Sequence, residues 1–511
     1  MFKLTSISFI SLLFAITLIG CSPQNSNSPD QKPEFTIIGG SELKAISPIL
    51  KEAEDNLGFT INIKYVGTIE GVDSVKSGEG YDVAWFGNSK YFYDTPESAK
   101  RIKSSEKIML SPVIVGVKEQ SFIKNNLSEA KAYTWKDIAE WVKVKKMTYA
   151  ATDPSVSNTG YVALMGVVYA TANKGENIKI SDINKNVLTD FFKGQKITAK
   201  SSNWIMDAFN DDPNTDFVVN YESTILNNPT KLIPVYPTEG IVTSDYQMLL
   251  LNTAKSEQYK KLVAFLKSPE IQNKLVNQYK YRSVLSDVMA NQKVFNESKL
   301  LIEMPFNPEQ DLSEAILSNY FNEYKKPAKF AFVVDTSGSM SGDREALLKE
   351  TINKLVNGQL GKFADIRNRE TVTVIPFASE PYDLKSFNNS QKQELNQYIQ
   401  NLTMDGGTAM YEGVEKAILE LRKQQRKDGN TYRYSVIVLT DGMSNNGPDL
   451  SDFNQWYSDL NVENGDMRVF AISFGDSDTD QLNSLTKITG GNVFDGQKSL
   501  SSAFREIRSY Q

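Results

Sequence analysis

Histidine is absent from this chain of 511 residues, and cysteine occurs once, as Cys21. Ser-His-Asp and Cys-His catalysis, histidine-held metals and disulfides within the chain are thereby excluded. Basic excess is missing too: the formal net charge is −6, which gives no electrostatic footprint for nucleic acid. After Cys21 no apolar run is long enough to cross a bilayer as a helix. There is no Gly-x-x-x-x-Gly-Lys-Ser/Thr segment to cradle a phosphate. Asp335-Thr-Ser337 lacks the second Asp, two residues on, of an aspartyl-phosphate loop. These absences lead us to expect no enzyme. The length does allow two or three domains.

The most informative stretch is Phe330-Ala-Phe-Val-Val-Asp335-Thr336-Ser337-Gly338-Ser339-Met340. Apolar residues without alternation, cut off by Asp and small hydroxyl residues, predict a strand buried on both faces that ends in a polar loop. Val436-Ile-Val-Leu-Thr440-Asp441-Gly442 repeats the pattern, and Met404-Asp-Gly-Gly-Thr408 opens a helix. If the strands run parallel, Asp335 and Asp441 emerge at one sheet edge, where ligands of open parallel sheets gather. Two carboxylates with the hydroxyls of Ser337, Ser339 and Thr408 suit a hard divalent cation. Mg2+ fits best, although Mn2+ and Ca2+ also take oxygen ligands. An open coordination position would attract a carboxylate from outside. Each fragment alone can equally cap a helix or make a turn, Ser339 or Ser341 and Thr408 as caps and Asp441-Gly442 as a turn. Their joint occurrence, in order, favours the metal.

Those residues carry a resemblance. Residues 327–511 resemble a von Willebrand factor type A domain, and Asp335-Thr-Ser337-Gly-Ser339 with Thr408 and Asp441 matches its metal-ion-dependent adhesion site. The resemblance implies Ser337 and Ser339 as direct ligands, Asp335 and Asp441 close by, often through water, and Thr408 as a ligand that comes and goes. It also implies a macromolecular partner offering a carboxylate. Independently, helix faces at Leu348, Ile352, Leu355 and at Met410, Val414, Ile418, Leu421 alternate with apolar strands at 372–377, 434–440, 469–474 and 492–494. Such alternation predicts a doubly wound, mainly parallel (Rossmann-like) α/β sheet. The acidic run Asp476, Asp478, Asp480 reads as a solvated loop.

At the other end, Lys3, the apolar run from Ile7 to Ile19 and Gly20-Cys21 read as an export signal over 1–20. Leu18-Ile-Gly-Cys21 resembles a bacterial lipoprotein box, which implies acyl chains on Cys21 and a membrane held through lipid. The expected place is the cell envelope outside the cytoplasm, at the outer membrane if the cell has two, since Ser22 follows the cysteine. Residues 21–33, rich in Ser, Asn, Gln and Pro, predict a disordered tether.

From Phe35 the pattern turns strand-helix-strand: a short strand, a turn at Gly39-Gly40-Ser41, a helix face at Leu43, Ile46, Leu50 and Ala53, then strands at 61–65 and 81–86. A second α/β unit follows. It has a helix at Trp135, Ile138 and Trp141, a strand at 148–152, a loop over 153–160 and a strand at 217–221; the segment 242–251 returns to the first unit. Residues 34–300 resemble the type 2 periplasmic solute-binding proteins, two lobes joined by two crossovers. The resemblance places Ser41, Thr68, Ser157, Asn158, Thr159 and Tyr221 in a ligand cleft, although capping or turn formation explains each equally well. Glu70, just after Thr68, opposes an oxyanion there if it faces the cleft. A sugar, an amine or no small-molecule ligand at all stay open. Scattered charges and a weak helical pattern from about residue 285, ending in Lys325-Lys326-Pro327, read as an interdomain helix and linker, the linker over 301–326. The combined expectation is a lipid-anchored adhesion protein with an accessory solute-binding-like domain. The alternative is the solute-binding component of an importer, with the C-terminal domain as its docking module.

Overall fold

The strand Glu34–Gly40 is apolar along most of its length and lies buried between two parallel neighbours, Thr60–Val66 and Val83–Trp85. The computed structural model in which this is seen describes residues 33–172, 177–295, 301–304, 310–360, 365–460, 467–474 and 479–511. The signal segment, Cys21, nearly all of the tether, Asp476 and Asp478 lie outside the described residues. Gly39 and Gly40 stay in the strand and do not form the expected turn. At Gly39 the packing is tight, because a Cβ would sit 3.0 Å from the Trp85 carbonyl oxygen.

Gln247–Leu250 and Ser104–Lys107 complete this first sheet in antiparallel fashion, giving five strands. The chain leaves the first lobe along Met109–Lys118 and returns through Thr243–Ser244, so two crossovers join the lobes. Met109–Lys118 is the spine of the second sheet, paired antiparallel with Phe217–Tyr221, Leu232–Val235, Thr243–Ser244 and Arg282–Ser283. The loop expected over 153–160 is shorter, since Asn158, Thr159 and Gly160 already belong to the helix Asn158–Ala172. Gly160 allows that start: a Cβ there would meet the Thr152 carbonyl oxygen at 2.1 Å.

The third sheet runs Lys385–Asn388, Thr371–Phe377, Ala328–Asp335, Arg433–Thr440, Met467–Ser473, Val493–Asp495, with every pairing parallel except the first. Val333, Val436 and Val438 face the helix Met410–Asp428 on one side, while Phe330, Phe332 and Ile437 face the helices Asp343–Val356 and Gly496–Arg508 on the other. Burial on both faces explains why these strands read as unbroken apolar runs.

The described part of the segment, 310–324, is helical, as its weak pattern suggests. Helix Gln310–Asn319 and the single π-helical turn Tyr320–Tyr324 bury Ile316, Tyr320 and Tyr324 in the second lobe's core, with Tyr320 against Phe192 at 4.8 Å between ring centres. Beyond it the lobe and the C-terminal domain share apolar packing: Ile197, Ile205 and Phe209 join Phe330, Phe332 and Phe504 in one cluster. Arg433 donates to the carbonyls of Gln195 at 2.6 Å and Lys196 at 3.0 Å, and Tyr510 packs edge-on to Trp204. At the centre of the joint Lys325 Nζ lies 3.3 Å from Asp153 Oδ2, and both residues are buried.

Burial pulls the Lys325 ammonium down to about 8, against the opposing pull of Asp153. Replacing Lys325 by Met strands a buried carboxylate and is expected to cost about 3–5 kcal/mol in urea denaturation at pH 7. Between about pH 8 and the ordinary lysine value of 10.5 the unfolded chain binds the extra proton. Parent stability relative to Lys325→Met should therefore rise as pH climbs through that window. A difference that stays flat or falls there would contradict the assignment.

Candidate functional site

Asp335 ends its strand at the carboxyl edge of the third sheet, and Asp441 follows the end of the neighbouring parallel strand Arg433–Thr440. Parallel pairing brings the two acids to the same edge. Asp335 is fully buried: its Oδ1 accepts the Ser337 N–H at 2.8 Å, and its Oδ2 accepts the Thr440 hydroxyl at 2.5 Å. Burial raises its carboxyl above the usual range; the Thr440 and Ser337 hydrogen bonds lower it, and the nearby Asp441 raises it further.

The hydroxyls complete the cluster. Ser337 Oγ and Ser339 Oγ are 3.0 Å apart, and Ser339 Oγ donates to Asp441 Oδ1 at 2.9 Å. Thr408 arrives on a separate loop, locked by its N–H to Asn445 Oδ1 at 2.8 Å and by its carbonyl, which accepts the Asn445 N–H at 2.9 Å. A Cβ placed on Gly442 would lie 3.9 Å from Thr408 Oγ1 and 4.0 Å from Ser339 Oγ, so both hydroxyls look onto one spot. The loops are cross-tied by Gly338 N–H to Gly406 O at 3.2 Å and Asp405 N–H to Thr336 O at 2.8 Å. The structure thus gathers all five residues singled out in the sequence.

Two neighbours were missed. Thr440 had been read only as the end of a strand. Arg344, on the first turn of the helix Asp343–Val356, donates to the Asp441 carboxylate and to Ser339 O at 3.1 Å. Its signal was faint: a basic residue in a helix's first turn, where the dipole disfavours it.

Oxygen ligands on adjacent vertices of an octahedron with bonds of about 2.1 Å stand roughly 3 Å apart. The Ser337–Ser339 and Ser339–Asp441 separations match that spacing. Among the described residues no three Asp, Glu, His or Cys side chains cluster in a metal-holding group. A cation at this edge would rest on two carboxylates and on hydroxyls, which fits a hard ion.

The six cleft residues divide differently. Asn158 is a hub: its Nδ2 reaches Ser244 Oγ at 3.0 Å and Tyr221 Oη at 3.4 Å, and its Oδ1 accepts from Asn88 and Tyr91 of the first lobe. Ser41 offers its carbonyl to Asn203 of the second lobe at 2.7 Å. Thr68 is buried at the start of the helix Thr68–Ser77. Ser157 and Thr159 bond to one another, and Thr159 bonds to Thr152 at 2.7 Å. The lobes are closed on each other: a Cβ on Gly67 would stand 3.1 Å from the Val156 carbonyl oxygen. Glu70 is exposed, and the acid between the lobes is Glu42.

Comparison with known proteins follows the same division. Residues 36–279 match the family model described as bacterial extracellular solute-binding protein, and residues 330–507 match that of the von Willebrand factor type A domain. Among curated proteins, the uncharacterized protein YfbK of Escherichia coli is 29% identical over 153 residues, which are 29% of this chain and 25% of the relative. The chain thus spans about a quarter of that relative's length. Among solved structures, the periplasmic binding protein P5PA is 12% identical with a TM-score of 0.45, over 57% of this chain and 100% of the other. The periplasmic binding protein AfuA of Actinobacillus pleuropneumoniae, with fructose-6-phosphate bound, is 16% identical with a TM-score of 0.44, over 57% and 99%. One chain therefore carries, in order, a bacterial extracellular solute-binding protein domain over residues 36–279 and a von Willebrand factor type A domain over residues 330–507.

Proposed function

We propose that the protein is an extracytoplasmic lipoprotein, anchored through Cys21, that binds a macromolecular partner at the sheet edge of its C-terminal domain. There a divalent cation, Mg2+ foremost and Mn2+ or Ca2+ as substitutes, is held by Asp335, Ser337, Ser339, Thr408 and Asp441. When bound, the cation supplies a Lewis-acidic position that takes a carboxylate from the partner. The chain's own part is to present the oxygens: Thr440 and the Ser337 N–H aim the Asp335 carboxylate, and the locked Thr408 loop brings its hydroxyl over Gly442. The observation that carries this reading is the spacing of about 3 Å along Ser337, Ser339 and Asp441. The anchoring part rests on the lipoprotein-like segment at Cys21. Among the described residues no helix is long and apolar enough to cross a membrane. On this reading the protein binds and performs no catalysis.

A second reading is favoured by the polar cluster around Asn158, which bridges the closed lobes. In it the first domain delivers a small solute to an importer, and the C-terminal domain docks.

Titration calorimetry of the purified chain with Mg2+ and Mn2+ tests the leading reading. Binding in the parent that vanishes in Asp335→Ala is expected; equal binding in both, or none in the parent, sinks it. Partner capture on intact cells should be lost in EDTA. Arg344 must release Asp441 as a cation arrives, so Arg344→Ala should tighten metal binding by roughly two- to fivefold. That corresponds to the at most about 1 kcal/mol which a part-exposed ion pair is worth. Weaker binding in this variant would instead make Arg344 part of the site.

A further inference from the structure

Eight acidic side chains are buried below a tenth of their surface among the described residues: Glu42, Asp82, Asp153, Asp212, Glu222, Asp335, Glu370 and Asp441. All but Glu42 have a close donor. Asp82 accepts from Thr36 N–H at 2.9 Å and Asn252 Nδ2 at 2.8 Å. Glu222 holds Arg282 through two bonds, at 2.7 and 2.9 Å, and Asp212 holds Lys196 at 3.1 Å. Glu370 pairs with Arg508, while Asp153, Asp335 and Asp441 are served as described above. Glu42 is the outlier.

Its carboxylate sits between the lobes, 6% exposed, with the Ser202 hydroxyl 3.4 Å away and the Tyr246 hydroxyl also acting on it. Burial is the largest influence on it and pushes its carboxyl up, and no basic side chain is among the groups that act on it. Three buried tyrosines of the second lobe and the return segments, Tyr221, Tyr246 and Tyr281, pack edge to face around it, each feeling its charge. The buried Tyr246 hydroxyl makes no well-formed hydrogen bond, although Glu42 and Tyr281 lie near enough to act on it. Gly40 and Gly87 make room for the acid, since a Cβ on them would come within 2.5 and 3.3 Å of Glu42 Oε1.

We propose that the interlobe cleft takes a cationic ligand bearing an ammonium group, with the Glu42 carboxylate as its counter-ion and the Tyr221, Tyr246 and Tyr281 rings and hydroxyls around it. An ammonium supplies the charge and the N–H donors that this carboxylate lacks, and tyrosine faces attract cations. An oxyanion meets like charge in a desolvated site, and a neutral sugar leaves the carboxylate's charge uncompensated. Glu42 is thus a specificity-determining residue of the first domain, independent of the metal-site reading for the C-terminal one.

Thermal denaturation of the purified full chain tests this with methylammonium, putrescine and choline as chlorides, against sodium chloride, sodium sulfate and glucose. At least one amine is expected to raise the parent's melting temperature by about 2 °C or more. That rise should disappear in Glu42→Gln and shrink in Tyr246→Phe, a variant that keeps the ring and so serves even if Glu42→Gln fails to fold. The proposal is overturned if none of the three amines shifts the parent, if sulfate or glucose shifts it and the amines do not, or if folded Glu42→Gln responds to amines as the parent does. It also fails if Glu42→Gln does not fold and Tyr246→Phe responds as fully as the parent.

Discussion

Taking a carboxylate out of water costs several kcal/mol unless something answers its charge, and the architecture of this chain is set by what answers each one. Arg282 answers Glu222 behind the cleft, Lys325 answers Asp153 at the joint between domains, and Arg508 answers Glu370 beneath the C-terminal helix. At the sheet edge the answer is incomplete: hydroxyls and one part-exposed arginine serve Asp335 and Asp441. In the cleft it is neutral groups alone, the Ser202 and Tyr246 hydroxyls among them. Asp82 is answered without a cation, by the Thr36 N–H and the Asn252 amide.

The joint and the metal-type edge stand at opposite ends of the third sheet's central strands. The joint with the second lobe is made near the beginnings of the central strands, at Ala328 and Arg433, and the metal-type edge at their ends. An eight-residue strand at about 3.3 Å per residue puts roughly 23 Å between them. The second lobe's contacts, Ile205 in the cluster of Phe330 and Gln195 on Arg433, gather at the near end.

Much of this was legible in the sequence because it is local. An unbroken apolar run ending in Asp announces a central parallel strand, and two such runs, with the helix-opening Met404-Asp-Gly-Gly-Thr408 between them in the chain, point Asp335, Thr408 and Asp441 to one edge. Long-range roles were not legible. Glu42 owes its position to Ser202, Tyr246 and Tyr281, more than 150 residues away, so its own neighbourhood carries no trace of it. Arg433 reads as an ordinary charge at a strand's start, yet it clasps two carbonyls of another domain. Residues 310–324 looked polar and weakly helical because their buried face is only Ile316 and a few aromatics. The glycines misled in the other direction: Gly39 and Gly160 suggest a turn and a loop, whereas the structure uses them where backbone crowds backbone.

The joint fastens the C-terminal domain to the second lobe, while the chain enters through the first, at Glu34. Any hinge motion at the two crossovers, where solute-binding lobes part, would turn second lobe and C-terminal domain together as one crank. The sheet edge with Asp335 and Asp441 would be carried along with the lobe to which its domain is fastened.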